Sequence, residues 1–407
     1  MIISLYGKKY DITNFIDKHP GGSNIFKNFE NGDDLTPLYN TYHFQKSKTV
    51  LDHNIEKHLK LIDEGEYNIF TFDKDGFYNI VRDRVMKSMK YKNHKADITW
   101  LIKVSITIIM TLYLINMKTE NNYYECIIGL IVGFLSISAT FNILHDSSHY
   151  AISKNSSVNE FISKTIQALV LWNNYLWFRH HVYAHHSFTG EPRLDPDIKN
   201  YKPFIRKYIG KHLEHEPKHQ EYYVIPLLGF VPGQYFGQII QYANFVNSDS
   251  LWGVKITNTK VFSNIYERLL YFSMVFLNFY GLYYRTVFTL CFYITTNFIY
   301  FICIAPDHDT YESTILNHES KSRDWGEIQV RRSSNFGTKW PIVCFLFGGI
   351  NYQIEHHLFP DVCHVNYPEI SKIVKETCKE FDIPYVELSW YSAIVSCLKT
   401  YKYFGDR

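Results

Sequence analysis

The chain has 407 residues and a formal net charge of +2, which excludes the basic surplus of a nucleic-acid binder and an acidic tail. Hydrophobic residues make up 46% and aromatic ones 17%, which excludes disorder over most of the length. A mean hydropathy of −0.20 excludes a protein that is mostly membrane-embedded and leaves room for a few spans.

Residues 1–70 read as a polar N-terminal module, with no apolar leader in residues 1–12. The strand-like segment Tyr10–Ile12 runs into His19-Pro20-Gly21-Gly22, a tight-turn signature, and His43 follows in Leu38-Tyr39-Asn40-Thr41-Tyr42-His43-Phe44. The stretch from Gly7-Lys8-Lys9-Tyr10-Asp11 to Gly22 resembles cytochrome b5, a family that holds haem between two histidines. That resemblance implies a small α+β domain with haem b on His19 and His43. Two axial histidines leave no open iron position, so the implied role is electron carriage and not O2 binding. Members of that family usually have another strand and helix before this segment. The module is therefore expected to be truncated, to lack part of its supporting sheet, and to hold haem weakly.

Residues 71–97 form a basic linker, in which Arg82, Arg84, Lys87, Lys90, Lys92 and Lys95 crowd before the first apolar run. From residue 98 to 407 the chain reads as a membrane domain. Four uncharged apolar stretches stand out: Val104–Met117, extendable back to Trp100 over Lys103, then Cys126–Leu144, Leu269–Tyr284 and Thr286–Pro306. They come as two pairs with short connections, as membrane hairpins do, and the shorter members need a snorkelling flank to span. A fifth stretch, Tyr222–Ser248, carries Pro226, Pro232, Gly229, Gly233 and Gly237 and reads as a broken interfacial or re-entrant helix. The excess of basic residues before the first span, against one Lys in Lys118–Glu125, puts both termini and the long middle segment in the cytosol. The seven cysteines include no Cys-x-x-Cys pair, which fits a reducing compartment.

Three histidine clusters sit on that cytosolic side. They are His145-Asp146-Ser147-Ser148-His149, His181-Val182-Tyr183-Ala184-His185-His186, and Gln353-Ile354-Glu355-His356-His357. Helical spacing puts His145 with His149, and His181 with His185, on one face each, and stacks Gln353 with His356 and His357. Seven imidazoles and an amide exceed what one four-coordinate zinc uses, so a dinuclear site is the economical reading. Clustered thiolates and a pair of Glu-x-x-His motifs are absent, which counts against iron–sulfur and against a carboxylate-bridged di-iron bundle. Spacing favours His181 over His180. Glu355 reads as a supporting residue, and Trp172, Trp177 and Tyr183 as anchors at the membrane interface.

These boxes resemble the membrane fatty acid desaturases, as do His185-His186-Ser187-Phe188-Thr189 leading to Asp195-Pro196-Asp197, Asn351 through Pro360, and His364-Val365-Asn366-Tyr367-Pro368. The resemblance covers roughly residues 98–390. It implies a four-span, mostly α membrane domain with a cytosolic cap of histidine boxes. It also implies a di-iron centre that uses O2 to remove two hydrogens from a fatty acyl chain. One further ligand is implied near the end of the fourth span, where His308 stands; His318 is a weaker candidate.

Gln353 at the head of the third box, with the fused haem module, resembles the front-end desaturases. These place a double bond between an existing one and the carboxyl end. The details look most like delta-5 members, with delta-6 or delta-4 next. The implied setting is the endoplasmic reticulum membrane, with a fatty acyl substrate as acyl-CoA or acyl-phospholipid. Electrons come from NADH through cytochrome b5 reductase, and no nucleic acid is involved. The rivals are a sphingolipid long-chain-base desaturase or hydroxylase, and a non-enzymatic membrane-anchored haem electron carrier.

Overall fold

Residues 1–65, 69–89, 92–199, 204–208, 217–230, 250–251, 253–316 and 321–406 are described by a computed structural model. His318 and the 231–248 part of the fifth apolar stretch lie outside them. The fold is mostly helical. Its N-terminal sheet has the order Ile2–Leu5, Lys8–Asp11, Lys60–Asp63, with both pairings antiparallel. Leu5 pairs Lys8 across a two-residue turn in which Tyr6 and Gly7 have φ of 52° and 79°, the left-handed pair that a tight hairpin needs. A strand therefore does precede the Lys8–Asp11 segment, where the sequence suggested a depleted sheet. Helices Thr36–Tyr42 and Lys48–His58 complete the module.

Within the expected linker, residues 71–89 are themselves structured. The helix Phe77–Ser88 buries Tyr78, Val81 and Val85, and Tyr78 packs edge-on against Trp325 at 5.1 Å. The Ile3, Leu5 and Phe44 side chains of the module share one continuous apolar core with Trp325, Ile354 and Phe359 of the membrane domain.

Three helical stretches are long and apolar enough to cross a membrane, by length and composition, among the described residues: Ile98–Asn116, Asn122–Ser148 and Thr286–Leu316. The fourth expected span forms the 20-residue helix Ile265–Tyr284 but falls short of that measure. Glu267, Arg268, Asn278 and five tyrosines dilute its apolar content. Its outer face still presents Leu269, Phe272, Phe276 and Phe279. The second and last spans approach closely along Gly129 and Gly133. A Cβ there would sit 2.4 Å from Phe288 O and 2.8 Å from Phe292 O, so only small residues permit the contact. At the far end Arg285 bonds Glu125 at 2.9 Å and the carbonyls of Ile115 and Met117 at 2.6 and 2.8 Å, tying the two short turns together. The fifth stretch begins as the helix Gln220–Phe230, with Pro226 inside it.

Candidate metal centre and haem pocket

Each histidine box rides on the end of a helix that aims it at one buried volume. The second span changes from α to π geometry over Thr140–His145 before a last turn ending at His149. The second box lies on a π-helical segment, Phe178–His185, and the third on the short α-helix Gln353–Leu358. A π turn inserts an extra residue and re-aims the side chains, a device frequent at functional sites.

The ligand nitrogens form two groups. His145, His149, His181 and His356 offer one atom each within 4.8 Å of one another, and His185, His308 and His357 do the same. His186 stands between them, its Nε2 3.0 Å from His356 Nε2 and its ring stacked on His357 at 4.2 Å. Gln353 lies beside the second group, its Nε2 2.9 Å from His308 Nε2. The structure thus brings together every box residue and His308. His180 points away, toward Asp197 Oδ1 at 2.5 Å.

Four of the outer nitrogens are tied down, while that of His186 is buried without a partner. His308 Nδ1 donates to Arg332 O at 2.8 Å, and His357 Nδ1 to Gln329 Oε1 at 2.8 Å. His185 Nδ1 faces Asp195 Oδ1 at 3.1 Å, and His356 Nδ1 faces the Tyr367 hydroxyl at 3.1 Å. With the proton on Nδ1, each inner Nε2 carries a lone pair. His185 Nε2 and His308 Nε2 then face each other at 3.1 Å, a contact that needs either a proton or a metal ion between the two nitrogens. His149 Nε2 and His357 Nε2 are buried without a protein partner. The donor set therefore fits two metal ions that favour imidazole.

The electrostatics agree. Burial, then repulsion from neighbouring imidazoles, holds His181, His186, His356 and His357 well below the ordinary histidine range, so they are neutral and able to ligate. His185 is the exception. Burial lowers it, but Asp197 and Asp195 outweigh that and lift it to about 9. Those carboxylates make it the most basic donor and fix its ring, a pairing the sequence reading missed although Asp195-Pro196-Asp197 lay in view. Glu355 faces away, bonded to Asn335 and Tyr385 at 2.7 and 2.8 Å, and burial raises its pKa to about 7. Trp172 and Tyr183, expected at the membrane interface, are buried in protein, and Trp177 stacks on His181 at 4.3 Å. Tyr183 instead packs under the Arg179 guanidinium at 4.3 Å.

In the N-terminal module the His19 and His43 rings lie 6.0 Å apart between centroids. His43 Nδ1 donates to Tyr39 O at 2.8 Å, which frees Nε2 to ligate. Burial lowers both pKa values, that of His43 to about 4. A Cβ at Gly21 would lie 2.8 Å from His19 Cε1, so glycine leaves the imidazole its room. Two neutral imidazoles in an aromatic surround, with Phe26 5.2 Å and Phe15 5.8 Å from His19, fit a bis-histidine haem.

The module is clamped beside the second box. Arg179 makes a buried two-pronged ion pair with Asp33, at 2.5 and 3.0 Å. Glu30 accepts from Tyr175 at 2.6 Å and Thr257 at 2.7 Å, and pairs with Lys260 at 2.8 Å.

Residues 123–389 match the family of fatty acid desaturases, and residues 1–70 match the cytochrome b5-like haem/steroid binding domain. Among curated relatives, the chain is 27% identical to the probable Delta(5) fatty acid desaturase C of Dictyostelium discoideum, over 97% of this chain and 89% of that one. It is 28% identical to an acyl-lipid (8-3)-desaturase of Physcomitrium patens, over 94% and 83%. A further acyl-lipid (8-3)-desaturase, from Mortierella alpina, is 22% identical over 100% and 94%.

Proposed function

Because the chain belongs to the fatty acid desaturase family and carries a cytochrome b5-like domain, we propose that it is an O2-dependent, front-end fatty acyl desaturase fed by its own haem module. The observation that carries this reading is the pair of buried imidazole groups, with inner nitrogens converging and four outer nitrogens tied down. His145, His149, His181 and His356 would hold one iron, His185, His308 and His357 the other, with His186 between the two and Gln353 beside the second. Such a centre supplies the oxidising power that an unactivated C–H bond demands and that no acid–base side chain provides.

The remaining work falls to the protein. Asp195, Gln329, Tyr367 and Arg332 O orient the imidazoles. Burial of every box excludes water, and the membrane domain delivers an apolar chain to it. His19 and His43 hold the haem through which electrons arrive, ultimately from NADH by way of cytochrome b5 reductase. In this reading residues 71–97 link the module to a four-span domain starting at 98, with both termini cytosolic in the endoplasmic reticulum. The printed names of the relatives, Delta(5) and (8-3), support a new bond at the delta-5 position.

The test is expression in a yeast that makes no polyunsaturated acids, with candidate acids fed and products located by mass spectrometry. Front-end action gives a new bond between the carboxyl end and an existing one. A bond on the methyl side, action on saturated chains alone, or products confined to sphingoid bases removes the assignment. Metal analysis is the second arm: about two irons per chain beyond haem are expected, and none would leave a haem carrier.

A further inference from the structure

The outer nitrogens of His185, His308, His356 and His357 are held by residues of the membrane domain. His149 is held from elsewhere. Its Nδ1 lies 3.1 Å from the hydroxyl of Tyr42, a residue 107 positions away that ends the Thr36–Tyr42 helix of the haem module. The next residue is His43. His149 Nε2 is buried, has no protein partner, and belongs to the four-imidazole group with His145, His181 and His356.

A neutral imidazole carries one proton, so the two nitrogens cannot both offer lone pairs. For His149 Nε2 to face a metal, the proton must sit on Nδ1 and be donated to the Tyr42 oxygen. The reverse tautomer, with Tyr42 donating, would put a hydrogen where the metal belongs. Tyr42 can accept that proton, and its own position is held firmly. Its ring meets Tyr150 edge-on at 6.2 Å. Two residues on, Phe44 packs against Phe359 at 5.8 Å, just past the third box, and Gln45 bonds His94 at 3.0 Å. On the other flank the Asp33–Arg179 pair fixes the module to the helix that bears His181 and His185.

We infer that Tyr42 is a positioning residue of the metal centre, supplied by the haem module: it holds the orientation of His149 and accepts its Nδ1 proton when Nε2 ligates. This rests on the di-iron reading above and deepens it. The module is then part of the metal site as well as its electron source. One peptide bond and one hydrogen bond also link His43, in the haem pocket, to His149, in the metal centre.

The experiment uses the full chain in detergent, loaded with haem, and compares wild type with Tyr42→Phe and Tyr150→Phe. Tyr42→Phe keeps the ring and removes only the hydroxyl. Tyr150→Phe removes a neighbouring hydroxyl that does not touch a box histidine. Iron(II) is titrated against a competing chelator, and cobalt(II) is bound separately to read its ligand-field bands. Tyr42→Phe is expected to weaken iron binding on the order of tenfold and to shift the cobalt bands, with the haem Soret band intact. Tyr150→Phe should match wild type in both. Unchanged affinity and unchanged cobalt bands in Tyr42→Phe, or an equal loss in Tyr150→Phe, would overturn the assignment. A wild type that takes up no iron beyond haem would instead sink the di-iron reading on which it rests.

Discussion

Arg179→Met is the sharpest probe of how the haem module is docked. The Arg179 and Asp33 side chains are 2% and 6% exposed, so removing one partner strands the other charge in the interior. Breaking such a pair costs about 3–5 kcal/mol, much of it the penalty of the stranded charge and not the worth of the pair itself. Since each 1.4 kcal/mol is tenfold, the docked state should weaken by on the order of 10²- to 10⁴-fold. Replacing both, as Arg179→Met with Asp33→Leu, removes the stranded charge and should recover most of the loss. Hydrogen exchange over residues 28–35, with limited proteolysis of the module, reads the docking in detergent. Fast exchange in Arg179→Met, and protection restored in the double variant, are expected. A single variant as protected as wild type, or a double variant as exposed as the single, would refute the reasoning.

His181→Ala should lose iron and activity together, whereas His180→Ala, whose ring turns to Asp197, should keep its iron; iron per chain separates the two. His308→Ala should remove iron from the His185–His357 group alone, halving the iron in excess of haem by elemental analysis. Haem retention should fall on acidification. The pKa of His43 is about 4 in the fold against an ordinary 6.5, so the unfolded chain takes the proton first and stability rises with pH across that window. The Soret band should therefore fade as pH drops from 6.5 toward 4, and a band unchanged at pH 4.5 would contradict it. Gly129→Leu should separate the second and last spans, because a side chain there meets Phe288 O, and the detergent-solubilised protein should melt earlier.

Short-range chemistry was legible in the sequence. Helical spacing paired His145 with His149 and separated His181 from His180, and the structure brings those rings to one place. The Pro20-Gly21-Gly22 turn and His43 lay in plain view, and the rings of His19 and His43 do face one another. The supporting contacts were not legible, because they join residues with no local pattern. Asp33 meets Arg179 across 146 positions, and nothing in either neighbourhood announces the other. Trp172 and Tyr183 misled for a related reason: an aromatic beside a span suits a membrane interface and a packed interior equally, and here Tyr183 meets Phe29 of the docked module while Trp172 packs on Trp177 and Tyr300. Span counting suffered from tyrosine, which is too polar for a hydropathy average yet sits comfortably on the outer face of Ile265–Tyr284.

The π turns that end the second span have a consequence for length. A helix advances about 100° per residue, so one residue more or fewer between Asn122 and His145 rotates the box by nearly a third of a circle. The π segment holds one surplus residue, and deleting a residue upstream invites it to relax into ordinary α geometry with His145 turned away. The stretch thus behaves as a ruler with a fixed number of divisions between the far turn and the first imidazole. Substitutions along it are cheap where the outer face is apolar, whereas a single-codon insertion or deletion leaves the hydropathy profile untouched and disarms the enzyme.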